Sequence, residues 1–190
     1  MVLTPRLRAA IRFSIQTHER DQKQKRKNKD VAYITHPLTV GLILSGAGAD
    51  EDAVIAGILH DTIEDSVAEK KVTREMLHDM FGEKVADLVA SVSEHTEQSW
   101  EERKADMLSR IANYSHDSLL IKSGDLISNG TELMDDYREF GEEIFKNFER
   151  PKDVRNDHYL QMIRAVIAAW PENPLADDLK KTEEEIVNLF

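Results

Sequence analysis

The chain has 190 residues and a mass of 21.7 kDa, with 25 Lys and Arg against 36 Asp and Glu, for a net charge of −11. Its 41% apolar and 32% charged residues are the composition of a folded globule, and at this length about 70% of the unfolded surface is buried on folding. Such an acidic chain excludes a general nucleic-acid binder, and the lack of cysteine excludes disulfides, thiol nucleophiles, Cys-ligated zinc and iron–sulfur clusters.

The N-terminus lacks the apolar run of a signal peptide, and no stretch approaches the roughly 18 apolar residues of a membrane span. A cytoplasmic protein without a membrane partner is expected. The acidity is uneven. Arg20, Lys23, Lys25, Arg26, Lys27 and Lys29 stand against Asp21 alone, a local +5 in a strongly acidic protein.

The periodicity predicts helices throughout. Thr4 as N-cap and Pro5 at the first position open a helix running to about His18, with Leu7, Ile11 and Ile15 on its inner face. His36-Pro37 opens a second helix, and the turn 45–50 leads to a third capped by Asp50 and carrying Val54, Ile55, Ile58 and Leu59. Further helices are expected near Thr73 to Met80, Glu83 to Ser93, Ser99 to Asn113 and Asp117 to Asp135. Two more are expected over about 136 to 149 and 153 to 169, and a last one begins at Asn173-Pro174. No run of alternating β-branched residues supports a strand. The expected fold is all-α, a compact single domain over 1–190. Gly46-Ala-Gly48 lacks the preceding strand and third glycine of a phosphate loop and is expected to be a plain helix connection.

His-Asp occurs three times, at His60-Asp61, His78-Asp79 and His116-Asp117, so the dipeptide itself carries little information. The first occurrence differs in context. It ends an apolar helix, and Glu64 and Asp65 follow at i+4, placing two carboxylates beside an imidazole–carboxylate pair if the chain stays helical. So many buried ionisable groups are costly unless paired or bound to a cation. His36 is fixed at a helix start by Pro37, and Asp125 interrupts an apolar helical run. Two imidazoles and two carboxylates suit Mn²⁺ or Fe²⁺ and could accept Zn²⁺. Spacing alone leaves His36 and Asp125 open between ligands and ordinary satisfied polar residues.

Several motifs taken together carry a resemblance. Gln24-Lys-Arg-Lys27, Tyr33-Ile-Thr-His-Pro37, Ala56-Gly-Ile-Leu-His-Asp-Thr-Ile-Glu-Asp65, Phe81-Gly82 and Trp100-Glu-Glu-Arg-Lys104 resemble, in order and approximate spacing, the hydrolase domain of the RelA/SpoT alarmone enzymes. Lys122-Ser-Gly-Asp-Leu-Ile-Ser-Asn129 is similar to that family's Lys-Leu-Ala-Asp-Arg-Leu-His-Asn. The match covers about residues 1 to 170 and is similar to a stand-alone small alarmone hydrolase of the HD superfamily.

The resemblance implies a helical HD-domain fold with a metal site between helices. It implies that His36, His60, Asp61 and Asp125 ligate one Mn²⁺ and that Glu64 and Asp65 orient and deprotonate the attacking water. The implied reaction removes pyrophosphate from the 3′ position of ppGpp or pppGpp. Arg26 and Lys27 match the family's nucleotide-lining basic pair, Asn129 would position ribose or phosphate, and Lys104, Arg155 and Tyr159 are further implied substrate contacts. The basic island would then focus potential on one compact polyanion. Chain departures are Asp30-Val-Ala-Tyr33 for Gly-x-Pro-Tyr, Ser123-Gly-Asp125 for Leu-Ala-Asp, and Ser128-Asn129 for His-Asn. Another nucleotide, such as an adenosine alarmone, or a non-catalytic nucleotide-binding domain are the competing expectations.

Overall fold

Side-chain caps set half of the ten helix starts among the described residues. Thr4 accepts from the amide of Leu7, Asp50 from Ala53, Thr73 from Met76 and Ser115 from Ser118, while Ser99 and Glu102 form a reciprocal capping box. The structure is a computed structural model and describes residues 3–27, 29–94 and 97–190. Ten α-helices lie among the described residues. These are α1 (Pro5–Ile15), α2 (Thr35–Gly46), α3 (Glu51–Leu59), α4 (Thr62–Asp65) and α5 (Arg74–Phe81), followed by α6 (Glu83–Val92), α7 (Trp100–Ile111), α8 (His116–Phe140), α9 (Lys152–Ala169) and α10 (Ala176–Leu189). No strand occurs among the described residues beyond an isolated antiparallel bridge between Lys25 and Ala32, which folds the basic loop back on itself. The all-α expectation is met.

Two boundaries differ from the sequence reading. The first helix does not stop at His18 but widens into a π turn over Gln16–Asp21. The expected helix over 136–149 does not form as a unit. Its first residues extend α8 to Phe140, Gly141 leaves the helical path with φ of 63°, and a 3-10 segment follows over Gly141–Asn147. A positive φ is cheap only for glycine, so a continuous periodicity in sequence is cut there by backbone geometry.

The core has two adjoining parts divided by α8. Leu7, Val40, Leu44, Ile55, Leu59 and Val89 belong to the first, joined by Leu120 and Ile121 from α8. Met107, Ile111, Met162, Ile163 and Leu179 form the second, joined by Leu119 and Leu126 from the same helix. Apolar side chains on two sides explain why α8 has no single inner face. Gly124 lets α8 approach α2 closely, since a Cβ there would lie 3.3 Å from Val40 Cγ1. Gly124, standing where the similar motif has alanine, therefore brings the middle of α8 against the helix that begins near His36.

Candidate functional site

Four side chains converge where α2, α3 and α8 meet. His36 stands in the first turn of α2, with Pro37 after it. His60 and Asp61 occupy the break between α3 and α4, and Asp125 sits mid-way along α8. All four are buried, at 2%, 5%, 6% and 9% exposure for His36, His60, Asp61 and Asp125. His36 Nε2 lies 3.4 Å from Asp125 Oδ1 and 3.6 Å from Asp61 Oδ2, and His60 Nε2 lies 3.0 Å from Asp61 Oδ1.

Each imidazole is oriented through its other nitrogen. His60 Nδ1 donates to the Gly57 carbonyl at 2.8 Å, and His36 Nδ1 lies 3.0 Å from Ser128 Oγ. The Ser128 departure thus supplies a partner for a candidate ligand. His60 Nε2 is out of line with Asp61 for a hydrogen bond, so this buried nitrogen has no hydrogen-bond partner. One donor atom each from His36, His60 and Asp125 lies within 4.8 Å of the others, and His–Asp sets with fixed second partners suit a divalent cation. The donor set fits such an ion.

The charges point the same way. Burial alone would push the His60 imidazole down, but Asp61 and Asp125 reverse this and raise it to about 9. Burial would raise Asp61 and Asp125. His60 and His36 beside Asp61, and Lys122 beside Asp125, overturn that and hold both carboxyls well below the usual range. Lys122 Nζ donates to Asp125 Oδ2 at 2.7 Å, Asn129 donates to Asp125 Oδ1 at 2.6 Å, and the Tyr33 hydroxyl donates to Asp61 Oδ2 at 2.6 Å. Glu64, pushed well up by burial and by the Asp61 charge, lines the cleft and accepts from the Glu94 amide at 2.7 Å. Asp65, raised to about 6 by burial and Asp61, is absent from the cleft lining and accepts from Gln24 Nε2 at 2.9 Å. The expected pair is therefore split, with Glu64 facing the cleft and Asp65 one layer behind.

The cleft has a volume of about 620 Å³ and is also lined by Arg26, Lys27, Lys104, Asn129, Arg155 and Tyr159. These residues are not equally available. Arg26 donates to Asn129 Oδ1 at 2.8 Å and is ion-paired with Glu132, while Lys104 is ion-paired with Glu94. The Tyr159 hydroxyl is bonded to the Leu126 carbonyl. Lys27 stands 4.7 Å and Arg155 3.4 Å from the ring centroid of Phe148, and Arg155 Nη1 is buried without a hydrogen-bond partner. Burial lowers Lys27, with Arg155 adding to the effect, and burial pushes Arg155 down to about 10.

The basic island is not the free patch expected from the sequence. Lys29 pairs with Glu132 and Asp136, Lys25 with Asp30 and Arg26 with Glu132. Folding the loop against α8 removes cations from water, and the acids of α8 compensate them. Sequence reasoning assigned no role to Tyr33, Gln24, Lys122, Glu94, Glu132 or Phe148. Tyr33 and Lys122 lay three residues before proposed ligands, which was a usable signal. Glu132 and Phe148 offered none.

The chain has relatives of known kind. A family model described as the HD domain matches residues 10–116. A guanosine-3′,5′-bis(diphosphate) 3′-pyrophosphohydrolase of Aquifex aeolicus is 33% identical over 114 residues, which are 58% of this chain and 16% of that protein. The Danio rerio protein MESH1, which bears the same enzyme name, is 32% identical over 118 residues, 60% of this chain and 63% of it. The chain thus spans less than two thirds of the length of these curated relatives. Among solved structures, a metazoan SpoT ortholog described as hydrolysing ppGpp and acting in starvation responses has the same fold. Its TM-score is 0.76 at 22% identity, with 99% of this chain and 97% of that one covered. A Listeria monocytogenes protein gives 0.71 at 29% identity, covering 80% and 99%. With its helical fold and more than half its length matched, the chain belongs to the HD-domain family.

Proposed function

We propose that this protein removes pyrophosphate from the 3′ position of guanosine 3′,5′-bispyrophosphates, turning ppGpp or pppGpp into GDP or GTP. The carrying observation is one cleft that holds a buried His–His–Asp–Asp cluster beside Glu64 and, on its other lining residues, Lys27 and Arg155. The names of the Aquifex and Danio relatives support the choice of substrate. Residues 1–190 would act as one cytoplasmic domain whose partner is a small nucleotide rather than nucleic acid or membrane. No helix among the described residues is long and apolar enough to cross a membrane.

In this reading His36, His60, Asp61 and Asp125 hold one divalent ion, assigned as Mn²⁺, with Fe²⁺ and Zn²⁺ compatible with the same donors. When bound, the ion supplies charge that acidifies water and polarises a phosphoryl oxygen. Glu64 accepts the proton of the attacking water, and burial, which favours a proton on its carboxyl, suits it to that work. Asp65 acts from one layer behind, its charge adding to the proton affinity of Glu64. Lys27, Arg155 and Lys104 neutralise phosphate oxygens, Asn129 steadies Asp125 while facing the sugar, and Tyr159 shapes the wall. Arg26 offers a planar guanidinium to the purine.

A panel of ppGpp, pppGpp, ppApp, deoxynucleoside monophosphates and NADPH with added Mn²⁺ tests the proposal through pyrophosphate and phosphate release. Pyrophosphate from ppGpp is expected, and Glu64→Gln should lower kcat by about 10²- to 10⁴-fold, the usual contribution of a general base. Turnover of only another nucleotide, or none with Mn²⁺, Fe²⁺ or Zn²⁺, overturns it.

A further inference from the structure

A second histidine system lies outside the ligand set. His18, in the π turn that follows α1, is fully buried, at 0% exposure. Its Nδ1 lies 3.0 Å from Gln24 Oε1, and its buried Nε2 has no hydrogen-bond partner. Burial holds the ring neutral by lowering its proton affinity. Gln24 Nε2 donates to the Asp65 carboxylate, which only accepts, so Gln24 Oε1 faces His18 and the single N–H of the neutral imidazole belongs on Nδ1.

The two bonds hold Gln24 from both sides. With Oε1 accepting from His18, Nε2 must point the other way, and it donates to Asp65 Oδ2 at 2.9 Å. The opposite amide orientation would set Gln24 Oε1 against the Asp65 carboxylate and an N–H against an N–H. The backbone holds Gln24 in the same place, since its amide donates to the His18 carbonyl at 2.8 Å and its carbonyl accepts from Tyr33 at 3.1 Å. His18 also lies with its ring 5.1 Å from that of Tyr33, whose hydroxyl donates to Asp61. One buried ring thus borders the supports of two site carboxylates.

We propose that His18 is a positioning residue that, by dictating the side-chain amide orientation of Gln24, holds the Asp65 carboxylate in place for the reaction. This rests on the hydrolase reading and on the role given there to Asp65. It assigns His18 more than core filling, because a core-filling ring needs no particular nitrogen.

The test compares His18→Leu, which keeps an apolar filler, with His18→Asn, whose amide can donate from near the position of Nδ1. Two quantities are followed in the full chain. One is hydrogen exchange of the Gln24 side-chain amide by NMR, and the other is turnover of ppGpp with Mn²⁺. His18→Leu should speed the exchange and lower kcat by about 10- to 100-fold, the usual cost of losing such a support, with KM changed by no more than about twofold. His18→Asn should restore most of both. Equal exchange in His18→Leu and the parent chain, or no gain of folded His18→Asn over folded His18→Leu, overturns the proposal. If His18→Leu does not fold, Gln24→Leu replaces it, and an unchanged kcat there is equally fatal. Should the parent chain not hydrolyse ppGpp, the functional reading fails, while the exchange measurement still decides whether His18 orients Gln24.

Discussion

Two groups of residues line the same cleft and are built in different ways. The imidazole–carboxylate group comes from helix starts, a helix break and the middle of α8, and its members are tied to named partners such as Gly57, Ser128, Tyr33 and Lys122. The cation–aromatic group comes from the loop after the π turn, the segment following α8 and the start of α9, where Lys27 and Arg155 stand over Phe148. The first group is short of positive charge, as the rise of His60 to about 9 records. The second is short of negative charge, since no carboxylate among the described residues forms an ion pair with Arg155. Rigid elements hold the groups whose geometry decides coordination, and irregular segments carry charges that need only be near. A metal-bound polyanion would satisfy both deficits at once.

The largest expected effect separates the groups from the rigid side. His60→Ala removes a donor from a cluster whose atoms lie within 4.8 Å of one another. Turnover should fall to background, and metal analysis of the purified protein should show the bound ion lost. Nucleotide affinity should fall less, because Lys27 and Arg155 remain. If the variant keeps its ion and its turnover, the rigid group is not the metal centre.

This same contrast explains what was legible beforehand. The proposed ligands sit in short contiguous motifs, and Thr4, Asp50, Thr73 and Ser99 announce helices through local side-chain-to-backbone bonds, so neighbours in sequence are enough to find them. What the local sequence did not show came mostly from contacts across the fold. Arg26 meets Glu132, and Lys29 meets Asp136 across 107 positions, which no periodicity encodes. Asp65 matched its motif, yet the Gln24 bond draws it behind the cleft wall. Gly141 ended α8 and made the 3-10 segment that delivers Phe148, a consequence of one positive φ inside an unbroken helical pattern.

A smaller effect tests the flexible side. Arg155→Ala should raise KM by about tenfold, in line with one lost charge-assisted contact. Its kcat and its metal content should stay close to the parent values. The parent KM should also climb with added salt while metal content does not, because a partly exposed cation group is screened and a buried cluster is not. A variant that loses metal along with affinity would show that the two groups are not separable.

The smallest effect is on stability and concerns pH. In the metal-free chain His60 is raised from 6.5 to about 9, so the folded state holds a proton that the unfolded chain gives up earlier. This stabilisation is complete below about pH 6.5 and is lost as pH climbs through about 9, an order of 1–3 kcal/mol. Asp61 and Asp125 act oppositely, being depressed, and their contribution disappears only in acid. Thermal unfolding of the metal-free protein should therefore move to lower temperature between pH 6.5 and 9. Added Mn²⁺ should flatten the fall, because coordination takes the neutral imidazole and replaces the proton with an ion. Arg155→Ala should leave the slope intact and His60→Ala should reduce it to the part left by Glu64, whose carboxyl burial also raises. A slope as steep in His60→Ala as in the parent chain, or one that ignores the metal, would mean that the charge deficit lies elsewhere than at the helix junction.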